Sequence, residues 1–399
     1  MQDIHGGRQL PLAGVRVLDF GRYIAGPYCA ALFADFGAEV IRVEKRSGSE
    51  DRHVTPVSEK GAGALFLQMN RNKRSIAIDP KSKGGRDIVR KLVATADIVV
   101  ANLPGPTLKK MGLSYEQLCE VNAGIILTTV STFGDHGEWS DRVGFDSIAQ
   151  AMSGAAYLSG DETPSRSQAS WVDFGTALHC AFGTVVALME RNRTGKGQKV
   201  SGNLLSTAMT MMNAQQIEQD LIAPNRPPLG NAAAGAAPIG TFRARDGWIS
   251  CHVVGQPIFE RLALALGRED WLKDPRFVSD PTRGENRESL LAYMGNWCAE
   301  RTRDEILDLF AEARIPAGPV LTPQEALDHP QTSALGLLQS VEYGDLHKPA
   351  KIARAPVWLS AHEAELRSPP QLGEDTENIL SSLGFSSADM EELRRGGAI

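Results

Sequence analysis

The chain has 399 residues, 42% of them hydrophobic, which exceeds one ordinary core, so two domains are expected. Gly and Pro are near average usage, which excludes a fibrous or low-complexity chain. The net charge of −6 offers no footprint for nucleic acid or an anionic membrane, so neither is an expected partner and an anionic ligand must be held by local basic clusters.

The first half alternates strand and helix. Val15–Phe20 reads as a buried strand, Tyr23–Phe36 as an apolar helix stopped by Gly37, and Glu39–Val43 as a second strand. Lys81–Ala96 is an amphipathic helix, Asp97–Leu103 a strand, Ser114–Val121 a short helix and Gly124–Phe133 a strand. This alternation predicts an α/β fold with a parallel sheet, whose ligands bind at the carboxyl ends of strands. The middle is helical over Ser147–Leu158, Phe174–Arg193 and about Leu204–Ile222. A linker rich in Pro, Gly and Ala, Ala223–Pro238, marks a domain boundary. Beyond it Gly240–Arg245 and Trp248–Val254 flank the hairpin signal Asp246-Gly247. Helices about Ile258–Leu266, Arg287–Arg301 and Arg303–Arg314 follow, the last opened by a Thr302/Glu305 capping box. This part reads as a small α+β domain over 223–324. The large domain takes 1–222 and 325–399, and its tail ends in a charged helix.

Cys29, Cys119, Cys180, Cys251 and Cys298 are scattered without C-x-x-C spacing, so neither a disulfide framework nor a metal site is expected. MQDIHGGRQLP has no basic-then-apolar signal pattern, and no run of about 18 apolar residues occurs. A cytoplasmic setting and no membrane span are the expectation.

No G-x-G-x-x-G or Walker segment is present, which disfavours a nicotinamide dehydrogenase. Gly21 and Gly26 in the first βα turn shape that turn, or approach a ligand. Three basic groups sit near strand ends: Arg42, Lys45 and Arg46; Arg71, Lys73 and Arg74; Lys109 and Lys110. They read either as solvated faces or as forks for a pyrophosphate and a further phosphate. Asp173, directly before an apolar helix, reads either as its N-cap or as a carboxylate nucleophile served by free N–H groups of the helix start. His179 reads as a packing residue, His136 as part of a Gly-rich loop, and Met209, Met211 and Met212 as core filler.

The ordered motifs resemble one family, the class III CoA-transferases of CaiB/BaiF type. They are LAGVRVLDFGRYIAGPYCAALFADFGAEVIRVEKR, NRNKRSIAIDPKSKGG, ADIVVANLPGPTLKKMGL, GFDSIAQAMSG, RTGKGQKV, IPAGPV and PPQLGEDT, spanning nearly the whole chain. The resemblance implies a Rossmann-like large domain plus a small domain, in a homodimer of interlocked subunits. It implies an enzyme that takes acyl-CoA and carboxylic acid substrates, with coenzyme A as substrate and no metal or redox cofactor. Asp173 corresponds to the catalytic aspartate, and Lys45, Arg46, Ile78, Lys81, Asn102 and Lys110 to CoA contacts. Racemases of the same fold carry His where this chain has Phe145 in Gly144-Phe145-Asp146, and a glutamate where it has Gln256; both differences favour transfer. The alternatives are a 2-methylacyl-CoA racemase-like proton-transfer enzyme and a non-catalytic CoA-binding protein. Formyl-CoA relatives have a glycine run matching Asn231–Ala236, and a glutamine where this chain has Ile24. The alanines and Ile24 here point to a larger or more apolar acyl group.

Overall fold

Continuous apolar runs suit strands buried on both faces, and Ile98–Ala101 is the plainest case: all four residues are buried. The computed structural model describes residues 10–344, 346–362 and 366–399; the first nine residues, where a signal pattern was sought, lie outside them. The strands are β1 (Arg16–Asp19), β2 (Glu39–Glu44), β3 (Arg74–Ala77), β4 (Ile98–Ala101), β5 (Ile126–Ser131) and β6 (Lys199–Asn203). They form one sheet in the order β3-β2-β1-β4-β5-β6, every neighbouring pair parallel. The order reverses between β1 and β4, which is where such sheets open a ligand crevice.

Five helices matter for the site. Helix α1 (Ala25–Asp35) is wholly buried, its Ala, Gly and Cys positions letting it lie close to the sheet. Helix α2 (Lys83–Thr95) is capped by Ser82, whose hydroxyl accepts the Gly85 N–H. Then come α3 (Asp146–Met152), α4 (Trp171–Thr194) and α5 (Leu204–Met211). The expected helix over Ser147–Leu158 is interrupted at Gly154, which takes φ +86°, and the one over Leu204–Ile222 breaks at Met212. Helix α4 ends at Gly195 with φ +74°. It is long and apolar enough to cross a membrane by length and composition, with a mean hydropathy of 1.5 over 18 residues. Half of that window is buried, as in a core helix packed on α1, β5 and β6. The sequence reading missed this run because Asp173 and several Ala, Gly and Thr residues dilute it.

The chain divides into two compact units. One comprises the chain up to Ser153, Gln168–Met211 and Leu335–Ile399; the other comprises Gly154–Ser167 and Met212–Ala334. The division thus gives the second unit three segments, 154–167, 212–222 and 325–334, that the sequence reading kept in the large domain. That unit holds an antiparallel sheet of β7 (Ile239–Ala244), β8 (Gly247–His252) and β9 (Ala317–Pro319), with a core around Phe259, Leu290 and Phe310. Ala244 pairs with Gly247, so the hairpin loop is Arg245-Asp246 and Gly247 already belongs to the strand. The Thr302/Glu305 capping box is formed. Back in the first unit, β10 (Leu338–Val341) and β11 (Ala350–Ala353) pair antiparallel, and the tail ends in helices Thr376–Ser382 and Ser387–Arg395.

Candidate active site

The crevice between β1 and β4 is laced by one side chain. Asn102, just past β4, accepts the Arg22 N–H at 2.7 Å and donates to the Arg22 carbonyl at 2.8 Å. Glycine is required beneath it: a Cβ on Gly21 would sit 2.6 Å from Pro27 Cδ, and one on Gly26 3.2 Å from Asn102. Next in the turn, Tyr23 adopts φ +61°. Its N–H donates to Asp51 at 2.9 Å, and both Asp51 carboxylate oxygens accept from Arg42, at 2.9 and 2.8 Å. A buried ion pair therefore holds the strained residue in place.

That geometry corrects the reading of the basic clusters. Arg42, Arg71 and Lys73 are buried and serve internal carboxylates. Lys73 Nζ donates to Asp19 at 2.7 Å, and burial draws its ammonium down to about 8. Arg71 forks onto Asp35, and Arg74 bridges Glu39 and Asp375. These groups hold the fold and are not available to a phosphate.

Of the basic residues singled out in the sequence, Lys45, Arg46, Lys81, Lys109 and Lys110 are exposed. Lys45 and Arg46 follow β2, while Ile78 and Lys81 follow its neighbour β3. The chain end ties them together: Arg46 donates to the Gly397 carbonyl at 3.2 Å and Asp79 N–H to the Ala398 carbonyl at 2.8 Å. Lys45 pairs with Glu50 at the surface. The Ile78 side chain is in the core, out of reach of a ligand. Asn102 is engaged by Arg22, and Lys110 closes the short helix Gly105–Lys110 after β4.

Helix α4 runs back from the β5 crossover and leads into β6, so its start lies at the carboxyl ends of the strands. Asp173 is its third residue and not its cap. The cap is supplied by Asp146, whose Oδ2 accepts the Val172 N–H at 2.8 Å and the Asp173 N–H at 3.0 Å. Phe174 N–H goes to the Ser170 carbonyl and Trp171 N–H to that of Ala169. The expectation that this helix start offers free N–H groups is thereby overturned. No hydrogen bond reaches the Asp173 carboxylate among the described residues. Burial, helped by the Asp146 charge, pushes its carboxyl up from the ordinary 3.8 to about 7.

A carboxyl raised by folding contributes its stability below the unfolded value and loses it as pH rises through the folded value. Asp173→Asn is therefore expected to be more stable than the parent above about pH 7, by about 2–3 kcal/mol after allowance for partial exposure. Thermal melts check this, the gap growing as pH rises from about 4 to about 7.

Other candidates fall outside this pattern. His136 lines an open cavity of about 420 Å³ at the ends of β5 and β6, with Asp135, Ser131 and Asn203. Lys199 bonds Asp135 at 2.6 Å and holds its carboxyl below the usual range. His179 is exposed and does not pack, and Met209 and Met211 are 40% and 48% exposed, not core filler. Phe145 lies edge-on to Tyr23 at 5.6 Å. Gln256 accepts from buried Arg283 at 2.7 Å and donates to Glu260. Sequence reasoning missed Asp146, although it used the neighbouring Phe145; the signal available was an acidic residue opening α3.

A family model described as CoA-transferase family III matches residues 12–376. The chain belongs to this family. A succinyl-CoA–D-citramalate CoA-transferase of Chloroflexus aurantiacus is 34% identical over 96% of this chain and 97% of its own length. A formyl-CoA:oxalate CoA-transferase of Rhodopseudomonas palustris is 30% identical over 97% of each. A crystal structure of a CaiB/BaiF family protein from Brucella suis superposes with a TM-score of 0.83 at 31% identity, covering 94% of this chain and all of that one. The chain is thus a class III CoA-transferase by family, with the α/β fold that its motifs predict.

Proposed function

We propose that this enzyme moves CoA from an acyl-CoA donor to a carboxylic acid acceptor, with Asp173 as nucleophile. The observation that carries the reading is the Asp173 carboxylate, part-buried at the carboxyl end of the sheet and free of hydrogen bonds among the described residues, where burial and the Asp146 charge push its carboxyl up to about 7. An ordinary carboxylate is fully ionised at neutral pH but weakly nucleophilic; one raised to about 7 is stronger and still half ionised.

An Asp173 oxygen attacks the thioester carbonyl, the C–S bond breaks, and the thiolate leaves with the electron pair, giving a mixed anhydride. The thiolate attacks the Asp173 carbonyl and displaces the donor acid as carboxylate, leaving an aspartyl-CoA thioester. An acceptor carboxylate reverses both steps and departs with CoA. Protons are conserved throughout, so the route asks for no separate acid or base. The family's racemisation needs bases that Phe145 and the doubly engaged Gln256 do not supply, which favours transfer.

Lys45, Arg46, Lys81 and Lys110, with the Ile78 and Asn102 backbones, are the proposed CoA contacts. Arg46→Ala and Lys81→Ala should each raise KM for acyl-CoA about 10-fold, the size of one charge-assisted phosphate contact, with a smaller change in kcat. Steady-state kinetics tests this, and an unchanged KM in both would remove these residues from the site.

The working form is a homodimer of interlocked subunits. Leu178, Phe182, Val186 and Met189 form an outward apolar stripe along α4, with Phe182 72% exposed, which a second copy would cover. Five free thiols, four of them buried, suit a reducing cytoplasm. Ile24 and the alanines at 232–234 favour a larger or more apolar acyl group than formyl, and a panel of acyl-CoA donors against dicarboxylic and aromatic acids identifies the pair. Tight CoA binding without turnover across that panel would favour a non-catalytic CoA-binding protein.

A further inference from the structure

The four N–H groups that open α4 are all taken, and two of them by one carboxylate. Asp146 opens α3, and its own position is fixed: it is buried, and Gln150 donates to its other oxygen. A helix start ordinarily offers such groups to the acidic side chain in its first turn, which here is Asp173. A carboxylate so bonded would be stabilised as an anion and blunted as a nucleophile.

We propose that Asp146 is the positioning residue of the reaction: by accepting the Val172 and Asp173 N–H groups it withholds them from the Asp173 carboxylate and leaves that carboxylate unpaired for attack on the thioester. The inference rests on the reading of Asp173 as nucleophile. Charge acts in the same direction. The elements packed on α4 bring Tyr28, Cys29 and Asp35 from α1, Lys199 from β6 and Asp146 from α3, while β5 and α5 bring no titratable group. Helix α4 itself carries His179, Cys180, Glu190, Arg191 and Arg193 further along. Of all these only Asp146 acts on the Asp173 carboxyl, raising it.

Two variants, Asp146→Ala and Asp146→Val, remove both the charge and the oxygen that accepts the Val172 and Asp173 N–H groups, and so free those groups for the Asp173 carboxylate. In the full-length enzyme each should lower the apparent pKa governing kcat/KM by about 1 unit and kcat above neutral pH by about 10-fold, with KM for acyl-CoA within about 3-fold. Asp146→Glu should restore part of the parental pH profile. A parental pH profile in folded variants, or one uniform loss of rate at every pH, would reduce Asp146 to a structural cap and overturn the proposal. Should both variants fail to fold, the 13C titration of Asp173 in the parent, assigned by difference from Asp173→Asn, decides: an ordinary carboxylate value overturns it. Absence of any label on Asp173 during turnover would instead overturn the nucleophile reading, so the two failures are distinguishable.

Discussion

Asp173→Ala is expected to lower CoA transfer by at least about 10⁴-fold, the scale seen when a nucleophile is deleted. CoA affinity should stay within about 3-fold, because the basic groups proposed to hold CoA follow β2, β3 and β4 and not α4. The fold should survive, since Asp173 makes no side-chain hydrogen bond among the described residues and the helix is capped by Asp146. Loss of a buried, repelled carboxyl should raise the melting temperature at neutral pH. Parallel measurement of turnover, CoA binding and melting checks all three. Full activity in this variant would remove Asp173 from the chemistry, and a lost fold would mean that it is a structural residue.

Arg42→Met carries the largest expected stability loss. Arg42 is fully buried and faces Asp51, Asp19 and Glu44. Lys73 would still serve Asp19 and Arg52 would still serve Glu44, but Asp51 would keep only the Tyr23 N–H. Stranding a buried carboxylate costs about 3–5 kcal/mol. Urea unfolding should show that loss. The same change frees the Tyr23 turn, so kcat should fall as well. A cost under about 1 kcal/mol would mean that water reaches and solvates Asp51.

The strands and helices of the first half were legible because apolar runs and Gly or Ser stops are local signals; β1, β2, β4 and β5 fall within their expected segments or one residue beyond. Strand β3 was hidden because its Arg74-Ser-Ile-Ala stretch continues a conspicuous basic run, and β6 because Lys199–Asn203 is short and half polar. The breaks at Gly154 and Met212 depend on how the helices pack, which periodicity does not report. The site divided along the same line. Residue type pointed to Asp173, but charge without its partner misled: Lys73 meets Asp19 from 54 positions away, and Arg71 meets Asp35 from 36. Asp146 caps Asp173's helix from 27 positions away, and no local pattern encodes that contact. The sequence therefore left open, for solvent or a phosphate ligand, several cations that the fold consumes, and left to the helix start N–H groups that Asp146 occupies.

The central claim is a covalent bond between CoA and one side chain. The enzyme is incubated with an acyl-CoA and no acceptor, quenched in acid, digested and read by mass spectrometry. The peptide containing Asp173 is expected to gain the mass of CoA as a thioester, and Asp173→Ala to show none. Turnover with that peptide unmodified, or an adduct on any other residue, would contradict the account.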